Sequence, residues 1–215
     1  MGITERKERE KEQRYNDIVD AAERVFFSKG RHLATMDDVA KEAELSKGTL
    51  YLYFKNKEDL YLAINLRGFK ILREKFERAA ATEEIGLKKT KAIGQAYYQF
   101  YSEYPKYFEA LIYFESHDMT LQDESSIAAT CAEEGHNALE ILIDALKTGI
   151  ADGSIRPDID PVHTAIILWG QSSGIIQLLS LKGEHLSKLH KITLSEIMED
   201  FYGLIYYSLK INSVQ

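Results

Sequence analysis

The stretch Gly30–Leu60, GRHLATMDDVAKEAELSKGTLYLYFKNKEDL, decides the fold. Thr35 stands three residues before Asp38, the spacing at which a hydroxyl and a carboxylate cap a helix start reciprocally. A short helix is therefore predicted through Val39, Ala40 and Ala43. Ser46 is an N-cap for a second short helix through Thr49, Leu50, Tyr51 and Phe54. Two short helices a few residues apart, with another packed behind them, have the spacing of a helix-turn-helix, whose second helix lies in the major groove of DNA. Spacing alone equally allows a pair of structural helices in a bundle, with Tyr51 and Tyr53 buried.

The residue types on the second helix favour DNA. Leu50 and Phe54 form an apolar side that can dock on Val25, Val39 and Leu60. The other side offers Lys47, Gly48, Thr49, Tyr51 and Tyr53. Lysine meets guanine edges or phosphates, Thr and Tyr donate to phosphate, and Gly48 lets backbone approach the sugar-phosphate strand. The free N–H groups at helix starts near Thr35 and Asn56 suit phosphate oxygens, with Lys55 and Lys57 adding charge. The candidate DNA-binding set is thus Thr35, Ser46, Lys47, Gly48, Thr49, Tyr51, Tyr53, Lys55 and Lys57.

Helical periodicity continues on both sides of this segment. Upstream, Ile18, Val19, Ala22, Val25 and Phe26 make one helical face that stops at Gly30. Downstream, Asn56 and Asp59 open a helix to about Ala81, and further helices are predicted over roughly 85–103 and from Pro105 through Phe114. SHDMTLQDESS, 116–126, reads as a loop, followed by a long helix from Ile127 to Ile150 and the turn ADGSIRPDIDP. Asp160 caps and Pro161 opens a helix to Leu181, KGEHLSKLHKI reads as a polar connection, and Thr193 with Glu196 opens the last helix. The expectation is an all-α chain of about nine helices. Residues 1–60 would form a helix-turn-helix domain with a charged extension, 1–14, and residues 61–215 a helical bundle.

Composition sets outer bounds. The 215 residues are 45% hydrophobic and carry a net charge of -7, which argues against non-specific coating of nucleic acid or membranes. Residues 1–65 hold 12 Lys/Arg against 13 Asp/Glu, so a DNA-reading head requires its positive charge to be sorted onto one face. Before Tyr15, five basic residues alternate with Glu5, Glu8, Glu10 and Glu12. This is either a solvated helical extension or an arm supplying extra phosphate or minor-groove contacts. A single cysteine, Cys131, excludes an internal disulfide framework and a cysteine-based zinc finger. With no signal-peptide pattern and no unbroken run of ~18 apolar residues, the expectation is a soluble cytoplasmic protein.

The stretch from Gly30 to Leu60, above all SKGTLYLYFKNKEDL from Ser46, resembles the DNA-binding signature of TetR-family transcriptional regulators. Thr35, the Asp38-Val39-Ala40 step and Ala43 match as well. The resemblance implies a cytoplasmic homodimer with two N-terminal reading heads and a larger C-terminal domain for ligand binding and dimerisation. The family usually places glycine in the turn between the two short helices, where this chain has Glu44. A left-handed residue other than Gly costs ~1 kcal/mol there.

Two features of the C-terminal part suggest sites. Between Tyr97 and Phe114 stand nine aromatics, and tyrosine's apolar ring and polar tip suit a cavity that orients a small molecule. Tyr97, Tyr101, Tyr104, Phe108 and Phe114, with His117 and Cys131 nearby, are the candidate ligand-binding residues; an ordinary aromatic core is the alternative. The ligand would be mostly apolar or aromatic. A lone Glu-x-x-His, Glu133 and His136, falls short of a di-iron bundle, and no metal or other cofactor is expected. Small residues around Trp169, Gly170, Ser173 and Gly174, and the apolar positions Ile197, Phe201 and Ile205, make the candidate dimerisation face. The functional expectation is a ligand-responsive regulator, a repressor released from a near-palindromic operator by its effector, with no enzymatic activity. A helical-bundle enzyme or metal protein whose helix pair is only structural is the competing reading.

Overall fold

The capping signals found in the sequence are the ones that start the helices. The structure, a computed structural model, describes residues 2–116 and 126–211, so the expected loop 116–126 and His117 fall almost wholly outside the described residues. Among the described residues nine α-helices and no strand are present: α1 (Ile3–Lys29), α2 (Met36–Glu42), α3 (Lys47–Tyr51), α4 (Lys57–Ala81), α5 (Gly86–Glu103), α6 (Pro105–Ser116), α7 (Ile127–Ala151), α8 (Pro161–His190) and α9 (Leu194–Leu209). Thr35 Oγ1 accepts from the Asp38 amide at 3.1 Å while Asp38 Oδ2 accepts from the Thr35 amide at 3.1 Å. Ser46 Oγ accepts from the Thr49 amide, Asn56 Oδ1 from the Asp59 amide and Asp160 Oδ1 from the His163 amide. Thr193 and Glu196 close a second reciprocal box. Each cap satisfies a backbone donor that a helix start otherwise leaves open.

One boundary differs from the sequence reading. The helix α1 begins at Ile3, so the charged extension before Tyr15 is regular helix, one of the two forms expected for it. The helix α8 runs through KGEHLSKLH to His190, where a polar connection was expected. Lys188 bridges Glu184 at 2.5 Å one turn back, and Gly183 is buried where an added Cβ would come within 2.7 Å of Leu194 Cδ2. Side-chain polarity marked an exposed helical face there, not a break.

The described residues fall into two compact units, one drawn from Met1–Phe69 and Lys106–Ala132, the other from Lys70–Pro105 and Glu133–Gln215. In the first, Ile18, Val19, Ala22, Val25 and Phe26 of α1 are buried with Val39, Leu50, Phe54, Leu60 and Ile64. Arg67 of α4 donates to Asp20 at 2.5 Å, Glu23 at 3.0 Å and the Asn16 carbonyl at 3.2 Å. Tyr107 of α6 donates to the same Glu23 at 2.6 Å. Burial, and then this bond, push the Tyr107 hydroxyl above its usual pKa. A Cβ on Gly68 would lie 2.6 Å from Leu111 Cδ1, so α4 and α6 cross closely there.

In the second unit α5 packs on α8 and α9. The start of α5 meets the end of α7 backbone to backbone: a Cβ on Gly86 would fall 1.9 Å from the Gly149 nitrogen. Ile155, inside the ADGSIRPDIDP turn, is fully buried, and the Arg156 amide donates to the Leu209 carbonyl at 2.9 Å. The turn is thereby pinned to the end of α9.

The link from α2 to α3 is a Schellman turn. The Leu45 amide donates to the Ala40 carbonyl at 2.9 Å and the Glu44 amide to the Lys41 carbonyl at 3.2 Å. Glu44 takes the left-handed conformation, φ 55°. Its side chain is exposed, so Glu44→Gly relieves the Cβ strain without opening a cavity, against a smaller loss in unfolded-state entropy. Glu44→Gly is expected to raise stability by about 0.5–1 kcal/mol, seen as a higher urea midpoint at unchanged m.

The Lys29 ammonium beside Asp38, together with the Thr35 hydroxyl and amide, holds the Asp38 carboxyl below the usual aspartate value. The Gly86 amide with Ser154 does the same for Asp152, and Thr193 for Glu196. A folded pKa below the unfolded one adds stability that is fully present above the unfolded value of ~4 and lost as pH falls through the folded value. Urea midpoints should therefore drop between about pH 5 and pH 2, and Asp38→Asn should remove part of that slope.

Candidate nucleic-acid interface and effector cavity

The five residues of α3, Lys47–Tyr51, are too few to hold a helix alone. Leu50 and Phe54 hold it, both essentially fully buried against the α1 core, with Phe54 stacked on Tyr15 at 5.1 Å between ring centroids. Turning that side inward leaves the other in water. Lys47, Gly48, Tyr51 and Leu52 are exposed, Thr49 and Tyr53 half-buried. Tyr51, 51% exposed, is not plugged into the core, whereas Tyr53 is half-buried.

The polar groups are held as follows. Ser46 Oγ lies 2.8 Å from Thr49 Oγ1, so the two hydroxyls orient each other at the start of α3. Lys47 Nζ pairs with Asp37 Oδ2 of α2 at 2.6 Å, both exposed, which raises the lysine pKa and sets the cation over the α2–α3 seam. Lys55 is exposed, its backbone amide donating to Asp59. Lys57 is different: Nζ donates to the carbonyls of Arg31 at 3.0 Å and Ala34 at 3.2 Å, so this cation also ties the segment before α2 to the start of α4. Thr35 spends its hydroxyl on the α2 cap. Leu52, 83% exposed beside Tyr51, adds an apolar side chain to the same surface, which no local sequence signal marked.

The second unit holds an apolar cavity of about 40 Å³, lined by Phe76, Ile93, Tyr97, Leu142, Trp169 and Tyr202 among others. That is room for only a few waters, at ~10–15 Å³ each. Phe76 and Trp169 both stack against Tyr97. Its polar tips are spoken for: Tyr97 Oη sits 2.8 Å from Ser173 Oγ, Tyr202 Oη donates to the Gly94 carbonyl, and Thr90 Oγ1 to the Gly86 carbonyl. Lys91, Ser172 and Tyr206 also line it, but most of what faces the void is hydrocarbon and ring.

Of the expected ligand residues that are described, Tyr97 alone lines this cavity. Tyr101 stacks on Tyr98, and Tyr104 stacks on Phe100 with Lys75 Nζ over its ring. Phe108, Phe114 and Cys131 lie in the first unit, with Phe114 edge-on to Phe69 and Cys131 Sγ 3.4 Å from the Leu62 carbonyl. An aromatic-rich stretch of sequence spanning the end of α5 and all of α6 is thus split between two units. Of the residues expected on a dimer face, Trp169 and Ile205, both half-buried, also line the cavity, and Ser173 is buried on Tyr97. Among the described residues no cluster of His, Cys, Asp and Glu is arranged to hold a metal ion.

The helix α8 has a window apolar enough, by length and composition, to cross a membrane, and one third of it is buried. Its exposed apolar residues form a stripe: Ile166 and Ile167, then Gly170 and Gly174, then Leu178 and Leu181. A Cβ added at Gly170 or Gly174 would meet nothing within 4 Å. On α9, Leu204 and Tyr207 are exposed with Ile197 and Phe201 half-buried.

Residues 18–64 match the family model described as bacterial regulatory proteins, tetR family, and residues 90–191 match the tetracyclin repressor-like C-terminal domain. An uncharacterized HTH-type transcriptional regulator of Bacillus subtilis, YhgD, is 29% identical over 70% of this chain and 76% of its own length. Among solved structures, the transcriptional regulator FadR of Bacillus subtilis in complex with stearoyl-CoA superposes with a TM-score of 0.70 at 21% identity, covering 91% of this chain and 99% of that one. The regulator AibR in complex with isovaleryl coenzyme A and operator DNA gives 0.67 at 21% identity, covering 89% and 97%. The first model covers the exposed α3 head and the second most of α5 through α8, in chain order, and the chain belongs to the TetR family, whose members are transcriptional regulators and not enzymes.

Proposed function

We propose that this chain is a homodimeric repressor that grips a near-palindromic operator through two α3 helices and is released by a mostly apolar effector. Residues 1–60 act as the reading domain and 61–215 as the effector and dimerisation domain. The observation that carries this reading is the orientation of α3: Leu50 and Phe54 fully buried, Lys47 and Tyr51 open to water. Lys47, Gly48, Thr49 and Tyr51 read base edges and adjacent phosphates. Thr35, Ser46, Tyr53, Lys55 and Lys57 position the head on the backbone, where hydrogen bonds fix register without carrying sequence information.

The partner copy is proposed to sit on the α8 and α9 stripes. Gly170 and Gly174 let a second helix approach closely, and Leu178, Leu181, Leu204 and Tyr207 supply apolar area that a lone chain leaves wet. The interface thus keeps Gly170, Gly174, Ile197 and Phe201 of the expected set.

The effector reading rests on the hydrocarbon walls of the cavity and on the acyl-CoA complexes of the two structural neighbours, since an acyl chain is a mostly apolar group. A ligand much larger than the 40 Å³ void must bind a more open form, and it shifts the heads only by its preference for that form. The helix α4, which starts beside α3 and ends with Phe76 in the cavity wall, is the proposed lever.

Lys47→Ala and Tyr51→Ala should each weaken binding to duplex DNA from beside the chain's own coding region by about tenfold or more, of order 1–3 kcal/mol, with the dimer intact. Anisotropy and sizing chromatography read the two properties separately, and unchanged affinity in both variants contradicts the reading head. Leu178→Arg and Leu204→Arg lie at exposed positions, so the chain should stay folded while its mass by light scattering falls from dimer to monomer.

A further inference from the structure

The cavity of the second unit is hydrocarbon over most of its wall and cationic at one edge. Among the described residues that line it, Lys91 alone is charged and alone is exposed, and none is a carboxylate. The wall follows α5 from Leu87 to Tyr97, a span of ~15 Å at about 1.5 Å per residue. Lys91 stands toward one end of that span. At the other end the rings of Phe76 and Trp169 meet Tyr97.

A second cation stands at the same edge. Tyr202 Oη donates to the Gly94 carbonyl at 3.0 Å, which sets the register of α9 on α5. One turn back along α5 is Lys91, and one turn on along α9 is Tyr206, both in the cavity wall. Over the Tyr206 ring, 5.7 Å from its centroid, lies Nζ of the exposed Lys210. Among the described residues neither Lys91 nor Lys210 is in an ion pair, whereas Lys75, Lys147 and Lys188 are each held by a carboxylate. The half-buried wall residues Trp169 and Ile205 adjoin Gly170 and Leu204 of the face proposed for the partner copy. The Lys91 edge is thus the one left to water.

We propose that the effector is an amphipathic anion, its hydrocarbon body lying along α5 toward Tyr97 and its carboxylate or phosphate-bearing head held at the rim by Lys91, with Lys210 beside it. The proposal rests on the effector role of the cavity and adds to it the charge and the direction of the guest. With the head at the rim, both charges keep water and only the tail is desolvated. Turned the other way, the head would enter hydrocarbon, where the hydroxyls of Tyr97, Tyr202 and Thr90 are already hydrogen-bonded within the protein.

The test uses the full chain and its single tryptophan, Trp169, whose place in the cavity wall makes its emission a report on the guest. Laurate, lauroyl-CoA and the neutral dodecanol are titrated below their micelle concentrations, with calorimetry to catch binding that leaves the emission unchanged. Lys91→Met keeps an apolar stem at an exposed position, so circular dichroism should be unchanged. It should weaken at least one of the two anions by about threefold to tenfold, the scale of an ion pair at a wet rim, and leave dodecanol as it was. Lys91→Arg should restore the anion, Lys210→Met should weaken it by less, and added salt should shrink the difference. A loss confined to lauroyl-CoA assigns the head to phosphates, and one confined to laurate assigns it to a carboxylate. Unchanged affinity for both anions in Lys91→Met overturns the proposal, as does an equal loss for dodecanol. So does an unmodified chain that binds dodecanol and neither anion. In these three cases the cavity still takes an apolar guest and the effector reading stands. An unmodified chain that binds none of the three probes overturns both.

Discussion

The burial of Leu50 and Phe54 is the constraint on which the reading head depends. A helix of five residues has little stability of its own, and only the docking of these two side chains on the α1 core makes α3 a helix with a fixed rotation about its axis. That rotation decides which residues face water. The function of the head is thus a by-product of packing: the apolar residues choose the inside, and Lys47 and Tyr51 inherit the outside. The Ser46 and Thr35 caps and the left-handed Glu44 turn set the two short helices at the spacing this docking needs.

Much of this was legible in the sequence because its causes are local. A cap is a contact over three residues, and a helical face repeats within one or two turns. So Thr35, Ser46, Asn56, Asp160 and Thr193 announced their helices, and Ile18 through Phe26 their buried side. Polarity was a poorer guide where it described a surface. The KGEHLSKLH segment is regular helix with a wet side, and a polar helix differs from a polar connection only in what packs at its few apolar positions, such as Gly183 against Leu194.

The cavity was much less legible, since its walls come from residues far apart in the chain. Nothing adjacent in sequence joins Phe76, Tyr97, Leu142 and Trp169, and of the aromatic run from Tyr97 to Phe114 the first member stands in this cavity's wall. The same non-locality places the half-buried Trp169 and the buried Ser173 against Tyr97. Composition near glycine signals close approach, but not from which side it comes. Gly170 and Gly174 are open, while Trp169 and Ser173 beside them turn in.

The meeting of Gly86 with Gly149 constrains how the second unit can adapt. Most helix crossings yield through their side chains, which shift rotamer and let the axes slide. Where main chain rests directly on main chain there is no such cushion, and the Asp152 carboxylate fastens the same corner through the Gly86 amide. The start of α5 and the end of α7 are therefore a fixed fulcrum. A reshaping of the cavity would therefore fall to residues farther along these helices, which swing about a point that stays put.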